Sequence, residues 1–226
     1  MTSDVDAISG VIFDLEGTIV NFQWKIPEAV SRVKEVIKEW EWTSKLLDIS
    51  DYAELYNEGI RLAPNTEEER RFLKVADKVY DEYDKDALTR WAPQPGARPL
   101  LEALSKSQTP VALCSNVGRK AMDGILLLLG WEKVFSITLS RDDVRFLKPD
   151  PEGLERTIHL LGLEPSRVIF IGDSRTDILT AKKAGCRVAV AAKGENTRKE
   201  LAPLRPDHLL PSLEPLIEIL NLNSPK

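Results

Sequence analysis

What this 226-residue chain has little of already narrows its reading. It has two cysteines, Cys114 and Cys186, each beside an apolar run. Two widely spaced thiols do not make a disulfide framework or a cysteine-rich metal cluster; they suit buried positions in a reducing, cytoplasmic setting. Its two histidines, His159 and His208, lie in a helical pattern and near a proline-rich turn. No Ser or Cys partner is suggested for either, which leaves them structural or solvated rather than catalytic. No apolar run exceeds five residues (Ile125–Leu129 is one such run), against the roughly 20 needed to cross a bilayer. The opening MTSDVDAISG carries acidic residues and neither a basic nor an apolar leader segment, so it is not read as a secretory signal. Basic residues are outnumbered 31 to 36, a net charge of -5, which makes a poor nucleic-acid binder. Hydrophobic residues nevertheless make up 42% and charged residues 30%, enough for a sizeable core in one or two domains.

Aromatic residues are unevenly placed. Residues 19–95 hold ten of the fifteen, among them Trp24, Trp40, Trp42, Tyr52, Tyr56 and Trp91, with 12 Lys and Arg against 16 Asp and Glu. The segment reads as helical: Val30, Val33, Ile37 and Trp40 follow Pro27 at helical spacing, Leu46 to Tyr56 form a second stretch, and a third begins near Thr66, whose spacing to Glu69 is that of a capping box. Phe22, Gln23 and Trp24 lie close enough to the first strand to overhang its end. Outside this block, short apolar runs (10–14, 110–115, 134–139, 167–173 and 186–191) alternate with helical patterns near 96–107, 118–130, 151–162 and 175–184. Apolar runs without alternation suit strands buried on both faces, and their interleaving with helices predicts an α/β fold, a parallel sheet flanked by helices. Pro93-Gln94-Pro95-Gly96 is a stiff boundary. The expected organisation is a core of residues 1–18 and 96–226 with an inserted helical cap, 19–95. Arg61 reads as a solvated arginine near a turn.

Ligands of open parallel sheets bind beyond the carboxyl ends of the strands. The first strand ends in Asp14-Leu15-Glu16-Gly17-Thr18, the second in Ser115-Asn116, the fourth in Gly172-Asp173-Ser174-Arg175-Thr176-Asp177, and a loop after the third carries Lys148-Pro149-Asp150-Pro151. Strands lying side by side bring Asp14, Ser115, Lys148 and Asp173 to one edge. Gathered carboxylates repel unless a cation joins them, and hard oxygen donors suit Mg²⁺. Lys148 then balances phosphate charge, the Ser115 hydroxyl and nearby N–H groups hold phosphate oxygens, and one carboxylate is free to act as nucleophile and form an aspartyl-phosphate.

These motifs resemble those of the haloacid dehalogenase-like hydrolase superfamily, in its phosphatase branch with an inserted helical cap (phosphoglycolate phosphatase-like). D-L-E-G-T is similar to the usual D-x-D-G-T; Ser115, Lys148 in K-P-D-P, and Gly172-Asp173 with Asp177 match the later motifs in order, and the likeness continues through Ala181-Lys182-Lys183-Ala184-Gly185. The resemblance implies a Rossmann-like core and a Mg²⁺-dependent phosphatase acting on a small phosphorylated metabolite. It implies Asp14 as nucleophile and metal ligand, Glu16 as acid/base and metal ligand through its backbone carbonyl, Thr18 as an orienting residue, and Ser115 with the N–H of Asn116 on the phosphoryl group. Lys148 pairs with Asp14 and phosphate, Asp173 binds metal, and Asp177 supports it. Glu16 departs from the usual Asp and reaches roughly 1.5 Å further, although the enolase-phosphatase branch also has D-x-E-G-T. Dehalogenation is disfavoured, because that branch lacks a carboxyl residue here and uses no Mg²⁺. A phosphotransferase or mutase with the same intermediate, and a non-catalytic phosphate- or partner-binding protein, stay open as alternatives. The sequence sets no oligomeric state.

Overall fold

The structure is a computed structural model that describes residues 8–222; most of the acidic N-terminal stretch lies outside the described residues. Among those residues, six strands form a single sheet in the order β3-β2-β1-β4-β5-β6, all parallel: β1 (Gly10–Phe13), β2 (Val111–Cys114), β3 (Ile137–Leu139), β4 (Val168–Gly172), β5 (Arg187–Ala191) and β6 (His208–Leu210). Side chains alternate between the two faces of a strand. Val11, Phe13, Val111, Leu113, Ile169 and Ile171 face one core cluster, and Ile12, Ala112, Cys114, Val168, Phe170 and Val188 face the other. Both faces are covered, which is why these strands read as unbroken apolar runs. The expected α/β fold is the observed one.

Helices α1 (Ile26–Ile37), α2 (Tyr52–Leu62) and α3 (Thr66–Leu88) all fall between β1 and β2. Each presents an apolar stripe at helical spacing, as in Val30, Val33 and Ile37 of α1 and Phe72, Ala76, Val79, Tyr80 and Ala87 of α3. Asp51 caps α2 by accepting from Glu54 N at 2.8 Å, and Asn65 caps α3 by accepting from Glu68 N at 3.0 Å. The capping box expected of Thr66 does not form: Thr66 is the first helical residue, and Asn65, the stronger N-cap former ahead of it, caps the helix alone. The stretch expected from Leu46 to Tyr56 divides into a 3₁₀ turn, Ser44–Asp48, and α2.

The remaining helices are α4 (Ala97–Ser107), α5 (Arg119–Leu129), α6 (Glu152–Leu160), α7 (Arg175–Ala184) and two single turns, α8 (Arg198–Leu201) and α9 (Leu216–Ile219). Strand β6 was not anticipated: three residues between Pro206 and Pro211 carry too little pattern to read. Both cysteines are free and buried, as expected. Among the described residues, no helix is long and apolar enough to cross a membrane.

Candidate active site

The backbone ladder itself delivers the site. Asp14 N donates to Ile171 O at 2.8 Å and Ser115 N to Leu139 O at 3.0 Å, so each residue continues its strand by one rung and sits at the carboxyl edge of the sheet. Asp173 follows β4 directly. Lys148 arrives on the loop before α6, and two side-chain amides grip that loop. Asn57 of α2 both donates to Leu147 O and accepts from Leu147 N, each at 2.8 Å. Asn116 accepts from Lys148 N at 3.0 Å and donates to Lys148 O at 3.2 Å and to the Tyr52 hydroxyl at 3.1 Å.

The Lys148 Nζ donates to Asp14 Oδ1 at 2.7 Å and to Asp177 Oδ1 at 2.6 Å. Burial opposes the lysine's charge, but the two carboxylates outweigh it and raise its pKa. Asp177 Oδ2 accepts from the backbone N–H groups of Asp173 and Ser174, both at 3.1 Å, and from the Ser174 hydroxyl at 2.7 Å. Asp177 is thus the N3 residue of a capping box on α7 and the second support of Lys148 at once. Asp173 accepts from the Thr18 hydroxyl at 3.0 Å through Oδ1 and from the backbone N–H of Glu195 through Oδ2. It fits only because glycines face it: a Cβ on Gly17, whose φ is +83°, would lie 2.2 Å from its carboxylate, and one on Gly194 1.9 Å.

Carboxylate oxygens of Asp14, Asp173 and Asp177 lie within 4.8 Å of one another, and all three residues are buried. Burial raises the pKa of Asp14, with Asp177 adding to the rise and Lys148 and Ser115 opposing it. Burial followed by the charges of Asp177 and Asp14 holds Asp173 well above the usual carboxylate range. One lysine against three buried carboxylates leaves an excess of negative charge in an all-oxygen donor set, the chemistry that a small hard dication relieves. These residues fit a Mg²⁺ ion.

Glu16 lies apart from that cluster. Its Oε1 accepts from Gln23 N at 2.7 Å, Trp24 N at 2.8 Å and Trp91 Nε1 at 2.9 Å. Burial raises its pKa to about 7, against the opposing hydrogen bonds of Trp91 and Gln23. The overhang expected of Phe22, Gln23 and Trp24 is realised: Phe22 and Trp24 line the cleft above Asp14, and Gln23 holds Glu16.

Every site residue taken from the sequence (Asp14, Glu16, Thr18, Ser115, Asn116, Lys148, Asp173 and Asp177) lies in or against this cleft. Four further residues went unread. Tyr52 and Asp84 come from α2 and α3 and line the cleft, as does Glu195 from the loop after β5. Arg141, 1% exposed, binds Asp84 at 2.9 Å and also Asp81. Glu195 was open to discovery, since it follows the carboxyl end of a strand; the others depend on how α2 and α3 pack. Arg61 is tied to Glu58 at 2.8 Å and to Asp150 at 3.5 Å rather than merely solvated.

A parallel sheet with this constellation at the carboxyl ends of its strands is the framework of a hydrolase. The chain belongs to the haloacid dehalogenase-like hydrolase family, whose model matches residues 8–185. It is similar to the phosphoglycolate phosphatase of Photorhabdus laumondii, 26% identical over 230 residues that cover 97% of this chain and 95% of that protein. The phosphoglycolate phosphatase of Salmonella typhi is 33% identical over 159 residues, covering 70% of this chain and 62% of that one. Among solved structures, a hydrolase from Pseudomonas syringae superposes with a TM-score of 0.68 over 96% of this chain and 99% of its own, at 20% identity, a likeness of fold alone.

Proposed function

We propose that this chain is a Mg²⁺-dependent phosphatase that hydrolyses a small phosphate monoester through an aspartyl-phosphate on Asp14. The observation that carries the reading is Lys148, bound between Asp14 and Asp177 at the carboxyl edge of the sheet, beside a separate carboxyl, Glu16, whose pKa burial raises to about 7. The family match and the phosphatases among its relatives support the reaction class.

Asp14, Asp173 and the backbone carbonyl of Glu16 would hold a Mg²⁺ ion, which when bound would supply positive charge against the phosphoryl oxygens. Ser115 and the N–H of Asn116 hold the phosphoryl group, Lys148 pairs with Asp14 and with phosphate, and Thr18 and Asp177 keep Asp173 and Lys148 in place. The free carboxylate oxygen of Asp14 attacks phosphorus, and the ester P–O bond breaks toward the leaving alcohol. Oε1 of Glu16 is taken up by three N–H donors, so the proton of its neutral form sits on Oε2 and passes from there to the leaving oxygen. The resulting carboxylate then accepts a proton from the water that attacks the acyl phosphate, which releases phosphate and restores Asp14. In this reading residues 1–18 and 96–226 are the catalytic core, 19–95 is the cap that covers it, and the setting is cytoplasmic.

Turnover quenched in acid tests the intermediate. A phosphoryl group should be recovered on the peptide that contains Asp14, sensitive to borohydride; recovery on a different residue refutes the mechanism.

A further inference from the structure

The cleft above Asp14 has aromatic and acidic lining and little positive charge. Phe22, Trp24 and Tyr52 line it, as do Asp84 and Glu195, whose backbone N–H is bound to Asp173. Lys148 is the one cation lining it among the described residues, and both Asp14 and Asp177 already hold it. Asp84 is answered by Arg141 from behind. Glu195 has no such partner lining the cleft. Trp24, 8% exposed, carries a buried indole N–H without a hydrogen-bond partner.

We infer that this site takes phosphate monoesters whose alcohol bears no carboxylate, a small polyol or amino alcohol, and that Glu195 is the residue that sets this preference. The inference rests on the proposed phosphatase reading and narrows it. With the phosphoryl group fixed at Asp14, Ser115 and Lys148, the next few atoms of a small ester occupy the part of the cleft that Phe22, Trp24, Tyr52, Asp84 and Glu195 line. A carboxylate there is a desolvated anion beside another carboxylate with no free cation to pair it. A hydroxyl or ammonium group there donates to Glu195 instead. The cations Arg61, Arg175 and Lys183 line a neighbouring outer groove and not this cleft. Arg61 is tied to Glu58 and Asp150, and Lys183 donates to Pro149 O at 2.9 Å. Phosphoglycolate, the substrate in the names of the relatives, is the kind of ester this cleft disfavours.

Three esters of matched size decide it, assayed with Mg²⁺: 2-phosphoglycolate, 2-hydroxyethyl phosphate and phosphoethanolamine, with phenyl phosphate as a reference. The neutral and ammonium esters should exceed 2-phosphoglycolate in kcat/KM by about tenfold or more. Glu195→Gln, which keeps the backbone N–H bound to Asp173, should shrink that ratio at least about threefold, chiefly through KM for the carboxylate ester. An equal or higher kcat/KM for 2-phosphoglycolate, or a ratio unmoved by Glu195→Gln, overturns the preference while the phosphatase reading stands. Failure to hydrolyse phenyl phosphate and all three esters overturns both.

Discussion

Replacing Arg141 with Met should be among the most destabilising single changes in this molecule. The guanidinium is 1% exposed and faces three aspartates of α3 that are not equivalent. Asp77 and Asp81 have side chains 40% and 48% exposed, so solvent screens their pairing and each contributes at most about 1 kcal/mol. Asp84 is 4% exposed and 2.9 Å from the guanidinium, and it also accepts from Gly118 N at 2.9 Å. With Arg141 gone, Asp84 is a buried charge without its partner, which costs about 3–5 kcal/mol. In a chain of this length that lowers Tm by roughly 6–20 °C. The loss should depend on pH. Burial already raises the folded-state pKa of Asp84 against the pull of Arg141, and without the arginine it rises further. The native state then holds a proton that the unfolded chain gives up near pH 4, so stability of the variant falls as pH rises above that value until it passes the raised pKa. Urea unfolding at pH 5.5 and pH 8 should therefore show the larger deficit at pH 8. Adding Asp84→Asn should recover a good part of it, because the amide leaves no charge to compensate. A single-variant cost below about 1 kcal/mol, or a double variant no better than the single, refutes the argument.

Asp14→Asn cannot form an acyl phosphate and should lower kcat by about 10³-fold or more in an aryl phosphate assay; activity near that of the unaltered protein would remove Asp14 as nucleophile. Chelation should abolish hydrolysis and added Mg²⁺ restore it, whereas full activity in metal-free buffer contradicts the carboxylate site. Glu16→Gln should cost about 10²–10⁴-fold on an alkyl phosphate and less on an aryl phosphate, whose leaving group needs no proton. Because burial holds Glu16 near 7, kcat/KM of the unaltered enzyme on an alkyl ester should decline as pH rises through about 7, as its acid form is lost; a profile shared by alkyl and aryl esters speaks against Glu16 as the acid. Gly194→Ala sets a methyl group 1.9 Å from Asp173 Oδ2 and should raise the Mg²⁺ concentration for half-maximal rate by about 10–100-fold, read by metal titration; an unchanged titration means that the loop yields without moving Asp173.

The residues that could be read from the sequence are those set by the sheet. Asp14, Ser115 and Asp173 each follow a buried apolar run by one position, and the parallel ladder carries all three to a common edge. Lys148 and Asp177 needed the motif order to be recognised. Tyr52, Asp84 and Arg141 were hidden for a different reason. Their positions follow from how α2 and α3 pack against each other and against the loops that follow the strands, a matter of long-range geometry that helical spacing does not encode. In the sequence Arg141 and Asp84 are two more charged residues in charged surroundings; only burial distinguishes them from the exposed pairs. Thr66 shows the limit at shorter range, since two adjacent cap-forming residues differ only in which one adopts the extended backbone that capping needs.

The place of β1 in the sheet also bears on how the chain is made. Its neighbours are β2 and β4, and Gly10 pairs with Val168, roughly 160 residues later. At about 5–20 residues per second, a ribosome leaves the apolar β1 without its second neighbour for on the order of 10–30 s. Helices α1–α3 contact one another within the segment and so are able to collapse as they emerge. These helices are then assembled before the sheet is complete, and chains that stop short of β4 expose one edge of β1. Aggregation of truncated products should accordingly begin at that strand.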